Sequence, residues 1–137
     1  MSDLKKYIEI PFKDKGRDFS GSDCWGLARL FAWLEYGWKY PSLLAGYKSS
    51  DDGEAIEKLA EKTSGLFVRV KPGEERPGDL IHLRVKGSNR HVATVLAGKR
   101  MLHTMEDVGV TAGERYDCNP WKMRVIAFWR WRECVAE

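Results

Sequence analysis

Three cysteines (Cys24, Cys118, Cys134) and three histidines (His82, His91, His103) are the side chains best suited to nucleophilic chemistry in this chain. A thiolate attacks carbonyl carbon, and an imidazole titrating near neutrality can take the thiol proton. An odd, sparse cysteine set without a C-x-x-C pair is neither a disulfide framework nor a zinc ribbon. Among the three, Cys24 alone opens a strongly helical segment. A helix N-terminus offers unpaired N–H groups and a positive dipole end, which favour a thiolate and a developing oxyanion. The sequence therefore leads to the expectation of a lowered thiol pKa at Cys24, paired with a protonated histidine. The plain alternative is that Cys24 is a small buried core residue.

His91 opens one strand-like segment and His103 lies on the next, so the two could act as base and orienting group. His82 sits between Ile81 and Leu83 and reads as a partly buried histidine with a structural partner. Register decides whether His91 and His103 can meet. If Gly98-Lys99 is a two-residue turn, Thr94 faces His103 and His91 falls on the opposite face. If the loop is Ala97-Gly98-Lys99, Ala93 faces His103 and His91 is its diagonal neighbour on the same face. A Cys-His-His relay demands the three-residue loop. Ala93 on that face would also let the Cys24 helix pack close.

The elements that must position these residues follow from periodicity. Trp25, Leu27, Ala28, Leu30, Phe31 and Leu34 recur at helical spacing, with Ser22 or Asp23 as N-cap and Gly37 and Pro41 near the end, predicting a helix from Cys24 to about Trp38. A second, solvated helix is expected over 52–64, with Asp51 and Glu54 as a capping box. From Phe67 the period becomes two. Strands are expected at 67–70, 80–85, 91–96, 100–104, 108–110 and 124–131, after the turn Pro77-Gly78-Asp79 in the second case. Residues 1–22 read as a short helix or extended piece followed by a loop. The order, helices and then an antiparallel meander, is that of a single α+β domain over residues 1–137.

Composition excludes several classes. The 137 residues suffice for one core, and the six tryptophans argue against disorder. A net charge of +3, spread along the chain, is too mild to argue for nucleic acid. No apolar run approaches the roughly 20 residues that insert into a membrane. Met1–Lys6 lacks the apolar stretch of a secretory signal, so the expected route is synthesis in the cytoplasm without unaided export. Nothing in the pattern calls for a cofactor or a metal. A metal site built from Cys24, His91 and His103 would need tetrahedral convergence that their spacing does not suggest. Trp38, Trp121, Trp129 and Trp131 are expected mostly in the core.

Asp23-Cys24-Trp25-Gly26-Leu27, Pro77-Gly78-Asp79-Leu80, His91-Val92-Ala93-Thr94-Val95-Leu96 and Leu102-His103-Thr104 resemble the NlpC/P60 cysteine peptidases. Pro11-Phe12, Gly16-Arg17-Asp18 and the terminal Phe128-Trp129-Arg130-Trp131 look like the phage tail branch of that family. The resemblance implies a papain-like minimal fold, with helices packed on an antiparallel sheet. It implies Cys24 as nucleophile, His91 as general base and His103 as its orienting partner, with Asp23, Phe12 and Trp25 at the substrate. It further implies peptidoglycan stem peptides as substrate and a phage-like tail tip as the setting, among other tail-tip proteins, where the particle would carry the enzyme to the cell wall. Phe12 stands where bacterial members carry Tyr, Trp25 where a Ser is common, and Arg90 where a small residue precedes the base. The alternative is a structural tail-tip subunit that keeps the fold and no longer cuts; another acyl transfer, such as an amidase reaction, lies within the same Cys-His chemistry.

Overall fold

A computed structural model describes residues 4–42, 64–85, 88–106 and 108–135. The expected helix forms as α2, Cys24–Tyr36. Asp23 is extended and its side chain accepts from the Gly26 N–H, while Gly37 closes the helix in the left-handed region at φ 74°. The sequence thus places the cap correctly and overshoots the end by two residues. A one-turn helix α1, Lys5–Ile8, precedes it, and between them β1 (Arg17–Asp18) and β2 (Gly21–Ser22) form a small ribbon absent from the sequence reading. The helix expected over 52–64 lies outside the described residues, apart from Ser64, which begins a 3₁₀ turn.

Six strands make the main sheet: β3 (Phe67–Val70), β4 (Leu80–Val85), β5 (Ser88–Leu96), β6 (Arg100–Met105), β7 (Gly109–Thr111) and β8 (Val125–Trp131). Every pairing is antiparallel. The spatial order is β3-β8-β4-β5-β6-β7, so the simple meander is corrected. β4 to β7 do run as a meander, but the last strand enters between β3 and β4. The turn before β4 is tied to that strand. Arg130 donates through Nε and Nη2 to both carboxylate oxygens of Asp79, at 2.9 and 2.8 Å. Two segments picked out by their residues alone, Pro77–Leu80 and Phe128–Trp131, are thus joined by one bidentate ion pair.

Alternation along the strands gives the sheet two apolar faces. On one, Leu27 and Phe31 of α2 pack with Leu96, Leu102 and Val110, while Ala28 and Ala32 pack with Phe67, Leu80, Tyr40 and Trp131. Fully burying a side chain such as Leu27 or Phe31 contributes about 1.5–3 kcal/mol. On the other, Ile81, Leu83, Ala93, Val95, Met101 and Phe128 gather with Tyr116 and Trp121. Ala93 therefore does not face α2 as expected. The small residues that let helix and sheet approach belong to the helix itself, Ala28 and Ala32. Trp121 and Trp131 are buried, and Trp38 and Trp129 pack at the core's margin.

Candidate active site

Cys24 is the first residue of α2, and two glycines fix where that residue sits. A Cβ on Gly26 would strike the Gly16 carbonyl, and one on Gly16 would strike the Gly21 carbonyl, so the helix start rests directly on the β1–β2 ribbon. Asp23 locks the joint. Its Oδ1 accepts from Gly26 N (2.8 Å) and from Arg17 Nη1 (2.9 Å), and its Oδ2 accepts from Lys15 N (3.1 Å). Arg17 and Asp23 are both nearly enclosed, their side chains 9% and 2% exposed. Asp23 was expected at the substrate. Its carboxylate is buried and engaged by the helix and the ribbon.

The Cys24 thiol is partly enclosed and lies within hydrogen-bonding reach of the backbone N–H groups of Val92 and Trp25. Val92 directly follows His91 on β5, so the helix end meets the sheet beside the proposed base. Trp25 stacks on Tyr40 (ring centroids 5.6 Å apart) and donates from Nε1 to the Pro41 carbonyl at 2.8 Å. Its ring also meets Phe67 edge-on at 6.3 Å and remains partly exposed. Phe12 is also partly exposed, bridged to Ser22 at the helix start.

The histidine register is the one the relay needs. Leu96 faces Arg100, Val95 faces Met101 and Thr94 faces Leu102, which leaves Ala97-Gly98-Lys99 as the loop. Gly98 and Lys99 both take positive φ, 77° and 62°. His91 Nε2 and His103 Nδ1 are accordingly 2.8 Å apart, both side chains buried. His82 is half-buried in mid β4, between Val92 and Ala127 of the neighbouring strands. Cys118 is exposed, and the Cys134 side chain lies outside the described residues.

Glu114 and Thr111, which the sequence does not single out, and Trp121, expected only as core, complete the arrangement. His103 Nε2 lies 2.8 Å from Glu114 Oε1, and Trp121 Nε1 donates to Glu114 Oε2 at 2.6 Å. Thr111 adds a hydroxyl bond to Oε1 at 3.1 Å. The Trp121 indole stacks on His91 at 6.1 Å between centroids and meets His103 edge-on at 5.0 Å. Glu114 follows a turn after β7, and no periodicity or spacing marks it; only the fold brings it under His103.

The electrostatics overturn one expectation. Burial and the Asp23 charge push the Cys24 thiol up to about 11, outweighing the Val92 and Trp25 N–H groups and Arg17. Burial, helped by the neighbouring His103, holds His91 down at about 3 although Glu114 opposes it. His103 is also lowered, by burial, against the pull of Glu114. The resting site therefore holds a neutral thiol and neutral imidazoles, not the ion pair that a bare helix N-terminus suggests. Burial is the main physical reason, and the N-cap acid adds to it: the group that starts the helix also sets a negative charge beside the thiol.

With the fold and site in view, the family model for NlpC/P60 matches residues 9–130. The chain belongs to the NlpC/P60 family. Similar solved NlpC/P60 structures include a family protein from Bacillus cereus ATCC 10987, with TM-score 0.66 and 21% identity over 93% of this chain and 37% of that one. The NlpC/P60 domain of the peptidoglycan hydrolase SagA aligns with TM-score 0.58 and 23% identity, covering 93% of this chain and 91% of that one. RipB, a peptidoglycan hydrolase from Mycobacterium tuberculosis, aligns with TM-score 0.55 and 22% identity, covering 93% and 59%. This chain thus spans little more than a third of the length of the B. cereus protein. No curated protein matches the sequence. The α+β arrangement seen here is the fold of the B. cereus and SagA NlpC/P60 structures.

Proposed function

We propose that this NlpC/P60 chain is a cysteine endopeptidase that cuts peptidoglycan stem peptides at the tip of a phage or phage-like tail. The observation that carries the reading is the meeting of the Cys24 helix end with β5 beside a buried His91–His103 pair. Family membership and the peptidoglycan hydrolases of the same fold support the substrate class. The tail setting rests on the likeness of Pro11-Phe12, Gly16-Arg17-Asp18 and Phe128–Trp131 to the tail branch. Such a particle delivers the protein to the wall after cell lysis.

In the reaction the Cys24 Sγ attacks the amide carbonyl while His91 takes the thiol proton. The tetrahedral oxyanion is met by the Cys24 N–H at the helix start. His91 returns the proton to the leaving amine, and a thioester remains. Water, deprotonated by His91, then hydrolyses the thioester and frees the thiol. Because thiol and imidazole start neutral, proton transfer accompanies attack.

The test is digestion of purified peptidoglycan by the full chain, with released muropeptides identified by mass spectrometry. Wild type should release stem-peptide fragments, and Cys24→Ala and His91→Ala should release none while keeping their fold. Fragments from Cys24→Ala would overturn Cys24 as the nucleophile, and none from wild type alongside binding to other tail proteins would favour the structural subunit.

A further inference from the structure

Glu114 reaches His103 from outside the Cys-His-His set, and its partners leave no choice in where the protons sit. The Trp121 indole can only donate, so the oxygen facing it must accept. The other oxygen faces His103 Nε2 at 2.8 Å. A carboxylate accepts only, so His103 carries its proton on Nε2, and in a neutral imidazole its Nδ1 is then an acceptor. That Nδ1 faces His91 Nε2, also at 2.8 Å. His91 must therefore donate from Nε2 and keep Nδ1 unprotonated. Glu114 is itself held in place, because its backbone carbonyl accepts from Met101 N at 3.0 Å on β6. Trp121, buried and stacked on His91, fixes the imidazole plane as well as the carboxylate.

We propose that Glu114, oriented by Trp121, is a positioning residue that sets the tautomers of both histidines and so leaves His91 Nδ1 as the proton acceptor. The tautomer assignment stands on geometry alone; its catalytic consequence rests on the peptidase reading above.

A single isosteric change tests it. In Glu114→Gln the Trp121 N–H still requires an oxygen, so the amide NH₂ must turn toward His103 Nε2. His103 then accepts at Nε2 and carries its proton on Nδ1. It donates to His91 Nε2, and His91 is left protonated on Nδ1. The proton wiring is reversed with little change in shape. Trp121→Phe alone keeps the stacking and the carboxylate, so the tautomers stay as in wild type. Glu114→Gln combined with Trp121→Phe frees the amide to rotate its oxygen back toward His103, and the Thr111 hydroxyl adapts to either orientation.

The readout is a two-bond ¹H–¹⁵N correlation spectrum of ¹⁵N-histidine-labelled full-length protein at pH 7, which distinguishes the two neutral tautomers without substrate. Wild type and Trp121→Phe should show His91 and His103 as Nε2–H, Glu114→Gln should show both as Nδ1–H, and the double variant should return to Nε2–H. Muropeptide release should fall by about 100-fold or more in Glu114→Gln, the scale of losing a general base, and recover in the double variant. Unchanged tautomers in Glu114→Gln would overturn the proposal, as would inverted tautomers with undiminished cleavage. If wild type cleaves nothing while the tautomers invert as described, the wiring stands and the peptidase reading falls.

Discussion

Asp79 holds Arg130 with both oxygens, and the pair is sunk in the fold, with 2% and 17% of the side chains exposed. Glu114 also has both oxygens engaged, but its side chain is 43% exposed and its partners are an imidazole, an indole and a hydroxyl. Burial works against the Glu114 charge, yet the Trp121 and His103 bonds outweigh it and hold the carboxyl below its usual range. In the first site a carboxylate is matched by a guanidinium, and the pair fastens one element to another. In the second, a negative charge faces groups that are neutral at rest. It can direct a proton, and it can favour a cation formed for a moment at the relay. Carboxylates in one small domain thus divide into those that fasten elements together and one that assigns donors and acceptors.

The division predicts its largest effect on stability. Asp79→Ala removes the carboxylate that faces a mostly buried guanidinium and should cost about 3–5 kcal/mol, read from urea unfolding. Glu114→Gln keeps an acceptor for Trp121 and should stay within about 1 kcal/mol. Equal losses would erase the distinction.

A second effect appears with pH. His91 is held at about 3 in the fold against an ordinary 6.5, by burial and by His103. The unfolded chain therefore binds a proton there first as pH falls. Stability that is fully present above 6.5 is lost progressively toward 3. His91→Asn should flatten unfolding free energy against pH across that window. An unchanged curve would mean that the relay is not kept neutral by the fold.

The smallest effect concerns Asp23, which belongs with Asp79 by its arginine and touches the site by its charge. Asp23→Asn keeps an N-cap oxygen but removes a charge that raises the thiol. Iodoacetamide modification of Cys24 at pH 8, followed by peptide mass spectrometry, should speed up by roughly 3- to 10-fold, the effect of lowering a thiol pKa by about half to one unit. In wild type at that pH, Cys24 should react more slowly than exposed Cys118. A slower Asp23→Asn variant would show that the helix start, rather than the charge, governs the thiol.

Much of this arrangement is legible in residue order. The helix from Cys24 follows from apolar spacing and a cap at Ser22 or Asp23, and hairpin parity reduces the meeting of His91 and His103 to a choice between two loop lengths, which the strand register settles. What escapes is whatever depends on contacts far apart in sequence. Strand order is one case, since periodicity marks β8 as a strand but says nothing of its neighbours; the Asp79–Arg130 pair that ties it beside β4 spans 51 residues. Glu114 is another, because its role exists only once β6, β7 and the Trp121 turn converge. The raised thiol is a third. Asp23 was visible as a cap, but burial decides the balance between its charge and the helix dipole, and burial is a property of the packed state.

β8 is an interior strand of the sheet although it is the last of the described strands to be synthesised. Until residues 125–131 have left the ribosome, β3 and β4 have a gap between them, and the surface under Ala28 and Ala32 lacks Trp131. The helix that carries the thiol can rest on a finished sheet only after the whole domain is out. A chain cut short of residue 125 therefore leaves β3 and β4 unjoined and the surface beneath Ala28 and Ala32 unfinished.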